Sequence, residues 1–261
     1  MTAPATGATT GATISARGLV KRYGTITAVD HVDLDIGSGE IVAIVGDNGA
    51  GKSTLIKMLS GAVHPDEGNV SVDGTAVRLR SPLDARAVGI ETIYQDLALL
   101  PNLDVATNLY LGREEMAPGF LGALGVLSRR RMRQEAHTHL QQLRIKLPKT
   151  WGTPVAALSG GQRQSVAIAR AMVWASRLVI MDEPTAALGV AQSQAVLELV
   201  RRVRDRGTSV VIISHILPHV LELADRIVVM RHGAKVADLP GAEVTQDRLI
   251  ELIVGFTRSG S

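Results

Sequence analysis

Apolar residues recur along this chain in two rhythms, with one long interruption near the middle. Residues 14–20 predict a first strand, and Val32-Asp33-Leu34-Asp35-Ile36 alternates apolar and polar as a half-exposed strand does. Lys21-Arg22-Tyr23-Gly24 predicts a turn between them. Ile41-Val42-Ala43-Ile44-Val45 is apolar throughout, the pattern of a buried strand, and Leu55-Ile56-Lys57-Met58-Leu59 predicts a helix soon after. His64-Pro65-Asp66-Glu67-Gly68 is a turn cluster. A small hairpin is expected at residues 70–79 and another strand at residues 88–94.

From about residue 97 to residue 158 no long β-run occurs. Asp104 can cap a helix running to Leu111, and residues 116–127, rich in Gly, predict a loose connection. Met132, Ala136, Leu140, Leu143 and Leu147 are spaced by four, four, three and four, one face of an amphipathic helix. Pro148 and Pro154 bound a linker. The β/α alternation then resumes. A helix is expected from Ser159 through Ala171, a buried strand at 178–181, and a helix through Val196, Leu199, Val200 and Val203 that stops at Gly207. Strands follow at 209–213 and 227–230, then an edge strand at 234–237 and a closing helix at 245–254. Strands alternating with helices on both sides of the interruption predict an α/β fold, with a mostly parallel sheet covered on both faces. No internal repeat is evident.

Composition narrows the class. The 261 residues suffice for one large domain or two lobes. Cysteine is absent, which excludes disulfides and thiolate chemistry, and no apolar run is long enough to cross a bilayer. Net charge is only +3, and two Phe, three Tyr and two Trp give no stacking surface, so no nucleic acid is expected as a partner. The uncharged Thr, Ala, Gly and Pro of residues 1–13 predict a flexible tail rather than a signal peptide. Arg129-Arg130-Arg131 reads as a solvated helix face in preference to an anion site, because no aromatic residue interleaves it.

The chemistry begins between the buried strand and the helix after it. Gly46-Asp47-Asn48-Gly49-Ala50-Gly51-Lys52-Ser53-Thr54 is a phosphate-binding loop. Gly46, Gly49 and Gly51 let backbone N–H groups turn toward anionic oxygens. Lys52 supplies a charge for the β- and γ-phosphates, and Ser53 a hydroxyl for Mg²⁺. Leu178-Val179-Ile180-Met181-Asp182-Glu183 would set Asp182 at a strand's carboxyl end beside this loop, in the Mg²⁺ shell. Glu183 would turn the other way and act as general base on a water in line with the γ-phosphate. Ser159-Gly160-Gly161-Gln162 is a second anion-binding surface, with a Ser N-cap and bared helix-start N–H groups. Two such surfaces far apart in one chain suit a head-to-tail dimer, each closing over the partner's nucleotide.

In this order, the loop at 46–53, Leu158-Ser159-Gly160-Gly161-Gln162 and the 178–183 strand resemble the nucleotide-binding subunit of an ABC transporter, over residues 14–254. The resemblance implies a P-loop NTPase core with an antiparallel β part and an inserted α-helical subdomain. A tail would occupy 1–13 and a single domain 14–261. Its nucleotide-binding core would be 14–95 and 159–261, its helical subdomain 96–158. ATP and Mg²⁺ are the implied cofactors. The resemblance gives Tyr23 the adenine-stacking role, Gln95 contact with Mg²⁺ or the attacking water, and His215 contact with the γ-phosphate. The other histidines, His31, His64, His137, His139, His219 and His232, are expected to face solvent. Implied partners are a second copy of the chain, an integral-membrane permease and, indirectly, an external solute-binding protein, with the chain peripheral on the cytoplasmic side of the inner membrane.

One departure stands out. Ala186-Ala187-Leu188-Gly189 occupies the place of a loop that in the family usually carries an Asp, so Gly189 brings no carboxylate to the dimer interface. The segment Thr185-Ala186-Ala187-Leu188-Gly189-Val190 is similar to that of the monosaccharide-importing branch, as are residues 93–99, 108–114 and 215–220. These imply uptake of a ribose-, xylose- or fructose-type sugar. The competing readings are an ABC-type ATPase acting on ribosomes or DNA, an importer of a non-sugar solute, and a binding-only module. The intact Lys52, Asp182, Glu183 and His215 speak against the last.

Overall fold

The computed structural model describes residues 12–145, 152–186 and 188–255. The predicted tail up to residue 11, and Leu147, Pro148 and Ala187, lie outside the described residues. The first strand is longer than its apolar core suggested. β1 (Ala12–Tyr23) and β2 (Ile26–Gly37) pair antiparallel, and Tyr23 ends a strand where a turn was predicted. β3 (Ile41–Val45) is buried at every position, as its sequence requires. The phosphate loop leads into α1 (Lys52–Leu59), and β4 (Glu67–Val72) with β5 (Thr75–Val77) forms the hairpin. The strand expected at residues 88–94 is present but shorter. α2 (Pro82–Ala87), capped by Ser81, ends at Val88, and β6 (Ile90–Ile93) is only four residues long. The stretch is too short to show a helical period, and Ser-Pro at its start was its signal.

The middle block contains α3 (Val105–Leu109), capped by Asp104, a short α4 (Phe120–Ala123) inside the predicted loose connection, and α5 (Arg129–Gln142). Met132, Ala136, Leu140 and Leu143 are all buried, as their spacing predicts, and Arg131 pairs with Glu115 and Glu135. α6 (Gly160–Trp174), β7 (Leu178–Asp182), α7 (Val190–Asp205) and β8 (Ser209–Ile213) restore the alternation. α8 (Leu217–Leu223), β9 (Arg226–Arg231), β10 (Ala234–Pro240) and α9 (Gln246–Val254) complete it.

One sheet is antiparallel, in the order β2-β1-β4-β5. The other runs β10-β9-β3-β8-β7-β6 and is parallel except at the β10 edge. Alternate residues of its central strands enter two cores. Val42, Ile44, Ile180, Val211 and Val228 pack with Leu55, Ile56 and Leu59 of α1 and with the antiparallel sheet. Ala43, Val45, Val179, Met181 and Ile212 pack against α6 and α7, in a core that continues into Val105, Leu109, Met132 and Ala136 of the helical block. This topology fixes the site. β3, β8, β7 and β6 run in the same direction, so their carboxyl ends lie in a row on one edge, where open α/β sheets bind ligands.

Candidate nucleotide site

Reading along that edge gives the phosphate loop after β3, His215 after β8, Asp182 and Glu183 at the end of β7, and Gln95 after β6. Asp182 is near enough to the loop for its charge to act on Lys52, as expected, although its strand does not adjoin β3. β8 intervenes, and Asp182 pairs in register with Ile213. The site therefore spans four strands.

The loop needs its glycines for steric reasons. Gly46 has φ 151°, and a Cβ there would stand 2.2 Å from the Met230 carbonyl oxygen. Gly51 has φ 98°, and a Cβ would meet the Ala28 carbonyl oxygen at 2.3 Å. Backbone of β2 and of the β9–β10 turn thus encloses the loop, and Gly233 N–H donates to the Ala50 carbonyl at 3.1 Å. Lys52 is buried and its ammonium donates to the Gly46 and Asp47 carbonyls, at 2.7 and 2.8 Å. Burial pushes the Lys52 pKa down, opposed by the charges of Glu183, Asp47 and Asp182.

A cleft of about 510 Å³ opens beside the loop, lined by Tyr23, Asn48, Gly49, Ala50, Gly51, Lys52, Ser53 and Thr54. Tyr23 is 48% exposed, with the Lys21 ammonium 5.7 Å from its ring centre. His232, exposed as expected, also lines this cleft, from a left-handed position (φ 48°) in the β9–β10 turn. His232-Gly233 directly follows the apolar run of a strand, and that strand neighbours β3. Two histidines depart from the expectation that they face solvent. His219 is half-buried, with Nδ1 3.1 Å from the Thr185 hydroxyl, and His139 is half-buried with its pKa pushed down by burial.

Asp182 and Glu183 have different surroundings. Asp182 is half-buried, and burial raises its pKa, helped by the adjacent Glu183 charge and opposed by Lys52 and Lys57. Glu183 adopts φ 53°, uncommon for a residue with a side chain, and its N–H donates to the Ile213 carbonyl at 3.0 Å. Its Oε1 lies 2.8 Å from His215 Nδ1, while Oε2 is buried without a hydrogen-bond partner. A buried carboxylate oxygen left unpaired is costly, and such atoms mark places where a ligand or water completes the structure. Gln95 is exposed just past β6.

The sign of the Asp182 shift gives a test. Its folded-state pKa lies above the unfolded value, so the folded chain holds the proton more tightly and stability falls as pH rises through that interval. Asp182→Asn is expected to raise the Tm of the chain melted without nucleotide at neutral pH, through a stability gain of under about 1 kcal/mol because water screens a half-buried group. The gain should vanish in acid, where Asp182 is protonated in both states. Thermal melts at neutral and acid pH check both halves.

Ser159 caps α6 in a reciprocal box, in which Ser159 Oγ accepts from Gln162 N–H at 3.3 Å and Gln162 Oε1 accepts from Ser159 N–H at 2.9 Å. A Cβ on Gly161 would crowd Gln192 of α7 at 3.1 Å, so this glycine also serves packing. Ser159, Gly161 and Gln162 line a different cleft from the one at the phosphate loop, together with Arg144 and Arg202. Gly189 precedes α7 at φ −70° with open space around its Cα, so nothing steric requires glycine there.

A glycine-rich loop on a buried parallel strand, with a lysine inside it and a carboxylate pair on the same sheet edge, defines a nucleotide-phosphate-binding α/β protein. The ABC transporter family profile matches residues 29–186. This chain belongs to the ABC transporter family, as its ATPase unit. It is 49% identical over 243 residues to the fructose import ATP-binding protein FrcA of Rhizobium meliloti, covering 93% of this chain and 94% of that protein. It is 42% identical over 240 residues to the xylose/arabinose import ATP-binding protein XylG of Sulfolobus acidocaldarius, covering 92% and 93%. A ribose import ATP-binding protein of Rubrobacter xylanophilus is 43% identical over 92% of this chain, which spans only 45% of that longer protein. Among solved structures, an ATP-binding cassette of an ABC transporter in its ADP conformation superposes with a TM-score of 0.81 at 27% identity, covering 94% of this chain and 99% of that one.

Proposed function

We propose that this chain binds MgATP at the β3–β8–β7–β6 edge, hydrolyses it, and powers uptake of a monosaccharide through a separate membrane permease. The observation that carries the hydrolytic reading is Glu183, held by its strained backbone with one carboxylate oxygen on His215 and the other buried and unpartnered. That geometry suits a base that orients and deprotonates water. Lys52 and the loop N–H groups would take the β- and γ-phosphates, Tyr23 would stack on adenine, and His215 would contact the γ-phosphate. His232 would form a second side of the nucleoside cleft.

Among the described residues no three His, Cys, Asp or Glu side chains cluster to hold a metal. The available donors are the Asp182 carboxylate, the Ser53 hydroxyl and the Gln95 amide. This all-oxygen set fits Mg²⁺, which keeps waters and binds through one or two protein oxygens plus phosphates. When bound, Mg²⁺ neutralises charge developing on the β- and γ-phosphates. A cation there would also relieve Asp182, whose ionised form is disfavoured by burial and by Glu183.

The Ser159–Gln162 surface opens into its own cleft, which supports a head-to-tail dimer in which each copy covers the other's nucleotide. The names of the fructose and xylose/arabinose relatives support a sugar as cargo. No helix among the described residues is long and apolar enough to cross a membrane; the import named for the relatives supports a membrane permease as partner. A position on the cytoplasmic face of the inner membrane, and a sugar-binding protein outside it, follow from that reading. Co-purification of the membrane partner, then ATP turnover with binding proteins loaded with fructose, xylose or ribose, tests it. Stimulation by one loaded binding protein is expected. Failure to associate with any permease would overturn the transport reading.

A further inference from the structure

β8 runs into α8 through a short turn, and three groups of that segment hold the chain just after β7. The Ile213 carbonyl accepts from Glu183 N–H at 3.0 Å, and His215 Nδ1 lies 2.8 Å from Glu183 Oε1. His219 Nδ1 lies 3.1 Å from the Thr185 hydroxyl. The first two contacts act on Glu183 itself. The third acts two residues further on, and His219 touches no group assigned to the nucleotide. Thr185 is 2% exposed, and its hydroxyl makes no other hydrogen bond among the described residues.

Glu183, Pro184, Thr185 and Ala186 form a turn closed by Ala186 N–H on the Glu183 carbonyl at 3.1 Å. Glu183 enters it at φ 53°, a conformation that is costly for a residue with a side chain and persists only where the surroundings impose it. Before Glu183, the pairing of β7 with β8 sets the backbone, with Asp182 opposite Ile213. After it, the polar contact that holds the turn is that of Thr185 with His219. His219 is itself firmly placed. It lies in the first turn of α8, its N–H donates to the Ile216 carbonyl at 3.0 Å, and Val220 beside it is buried in the same core as Val196 and Leu199 of α7. The buried Ser214 accepts from Ile216 N–H at 3.1 Å and fixes the start of this segment. Glu222, one turn further along α8, is taken by Arg201 at 2.8 Å and Gln194 at 3.2 Å, which leaves the imidazole to Thr185. Loss of that imidazole would strand a buried hydroxyl, and the turn would have to shift to satisfy it.

We propose that His219 is a positioning residue for hydrolysis: by holding the Thr185 hydroxyl it fixes the turn that aims the Glu183 carboxylate, and so keeps Oε2 in reach of the water it activates. This rests on the reading of Glu183 as the general base. His215 and His219 divide the task, one ring on the carboxylate and the other on the turn behind it.

The test is a set of variants of the full chain, measured for single-turnover hydrolysis and for ATP affinity. His219→Leu is expected to lower the rate by about 10- to 100-fold, as misplacement of a catalytic group does. ATP affinity should stay within about two-fold, because the phosphate loop is untouched. Asn can place its amide where Nδ1 stands, so His219→Asn should recover most of the rate. Thr185→Val should repeat the loss, and Thr185→Ser should not. In the Glu183→Gln background His219→Leu should cost nothing further, because it acts through a carboxylate already removed. If His219→Leu fails to fold, Thr185→Val, which removes the hydroxyl at nearly constant shape, enters the same comparison. A loss that persists in full in the Glu183→Gln background, or a fall in ATP affinity matching the fall in rate, would overturn the proposal and leave His219 a stabilising residue. Normal hydrolysis in folded His219→Leu, or no recovery in His219→Asn, would overturn it as well. Normal hydrolysis in Glu183→Gln alone would remove the general-base reading, and the role of His219 with it.

Discussion

Replacing Glu183 by Gln is expected to slow ATP turnover by about 10²- to 10⁴-fold, the range that a positioned general base contributes. The substitution keeps the shape and leaves an acceptor for His215 at the position of Oε1, now 2.8 Å from Nδ1. What it removes is the negative charge and the proton-accepting capacity of Oε2, which is buried and unpaired. Lys52 and the loop are unchanged, so ATP affinity should move by no more than about three-fold. Slow hydrolysis with normal binding then lets the nucleotide persist between two copies of the chain. ATP-dependent dimers should become visible by size-exclusion chromatography, where the unmodified chain shows them briefly or not at all. Phosphate release at the normal rate in the Gln variant would show that Glu183 is not the base.

Glu183 also shows what a sequence can and cannot carry. Its position after Asp182 at the end of an apolar run was legible, because four consecutive buried residues can be little else than a central strand. Its left-handed backbone and its contact with His215 were not, since both depend on β8 lying between β7 and β3. Strand order is a matter of which faces find partners in three dimensions, and local pattern is silent on it. The same holds for His232, which belongs to the nucleoside cleft only because β9 sits on the other side of β3. Long periodic elements such as α5 and α7 were readable in outline. α2 and α8, of six and seven residues, were missed because neither is long enough to repeat a period. Both carry Pro in the first turn, a start signal that counts only when a helix is already suspected. Arg170 of α6, which donates to the Leu97 and Ala98 carbonyls just after Gln95, gave no signal, since a basic residue on a helix ordinarily faces water.

Lys52→Ala is expected to have the largest effect on binding. The Lys52 ammonium is held by the carbonyls of Gly46 and Asp47, inside the loop it serves. That arrangement keeps a desolvated cation in place by two backbone contacts, while the charges of Glu183, Asp47 and Asp182 hold its proton against burial. An arriving phosphate offers it a full negative charge in exchange. Each charge-assisted hydrogen bond is worth about 1.5–3 kcal/mol. Loss of two such bonds corresponds to a decrease in ATP affinity of about 10²- to 10⁴-fold. Fold should survive, because the loop's path is set by Gly46 and Gly51 against the Met230 and Ala28 carbonyls and by the Gly233–Ala50 hydrogen bond, none of which involves the lysine side chain. Lys52→Arg should not restore binding. The cation would be kept, but the position is buried and the guanidinium is larger and planar where a compact point charge is needed. Titration with a fluorescent ATP analogue, alongside far-ultraviolet circular dichroism to establish folding, measures both variants. Undiminished affinity in folded Lys52→Ala would mean that the loop's N–H groups hold the phosphates unaided, and that the lysine pairs instead with the carboxylates across the sheet edge.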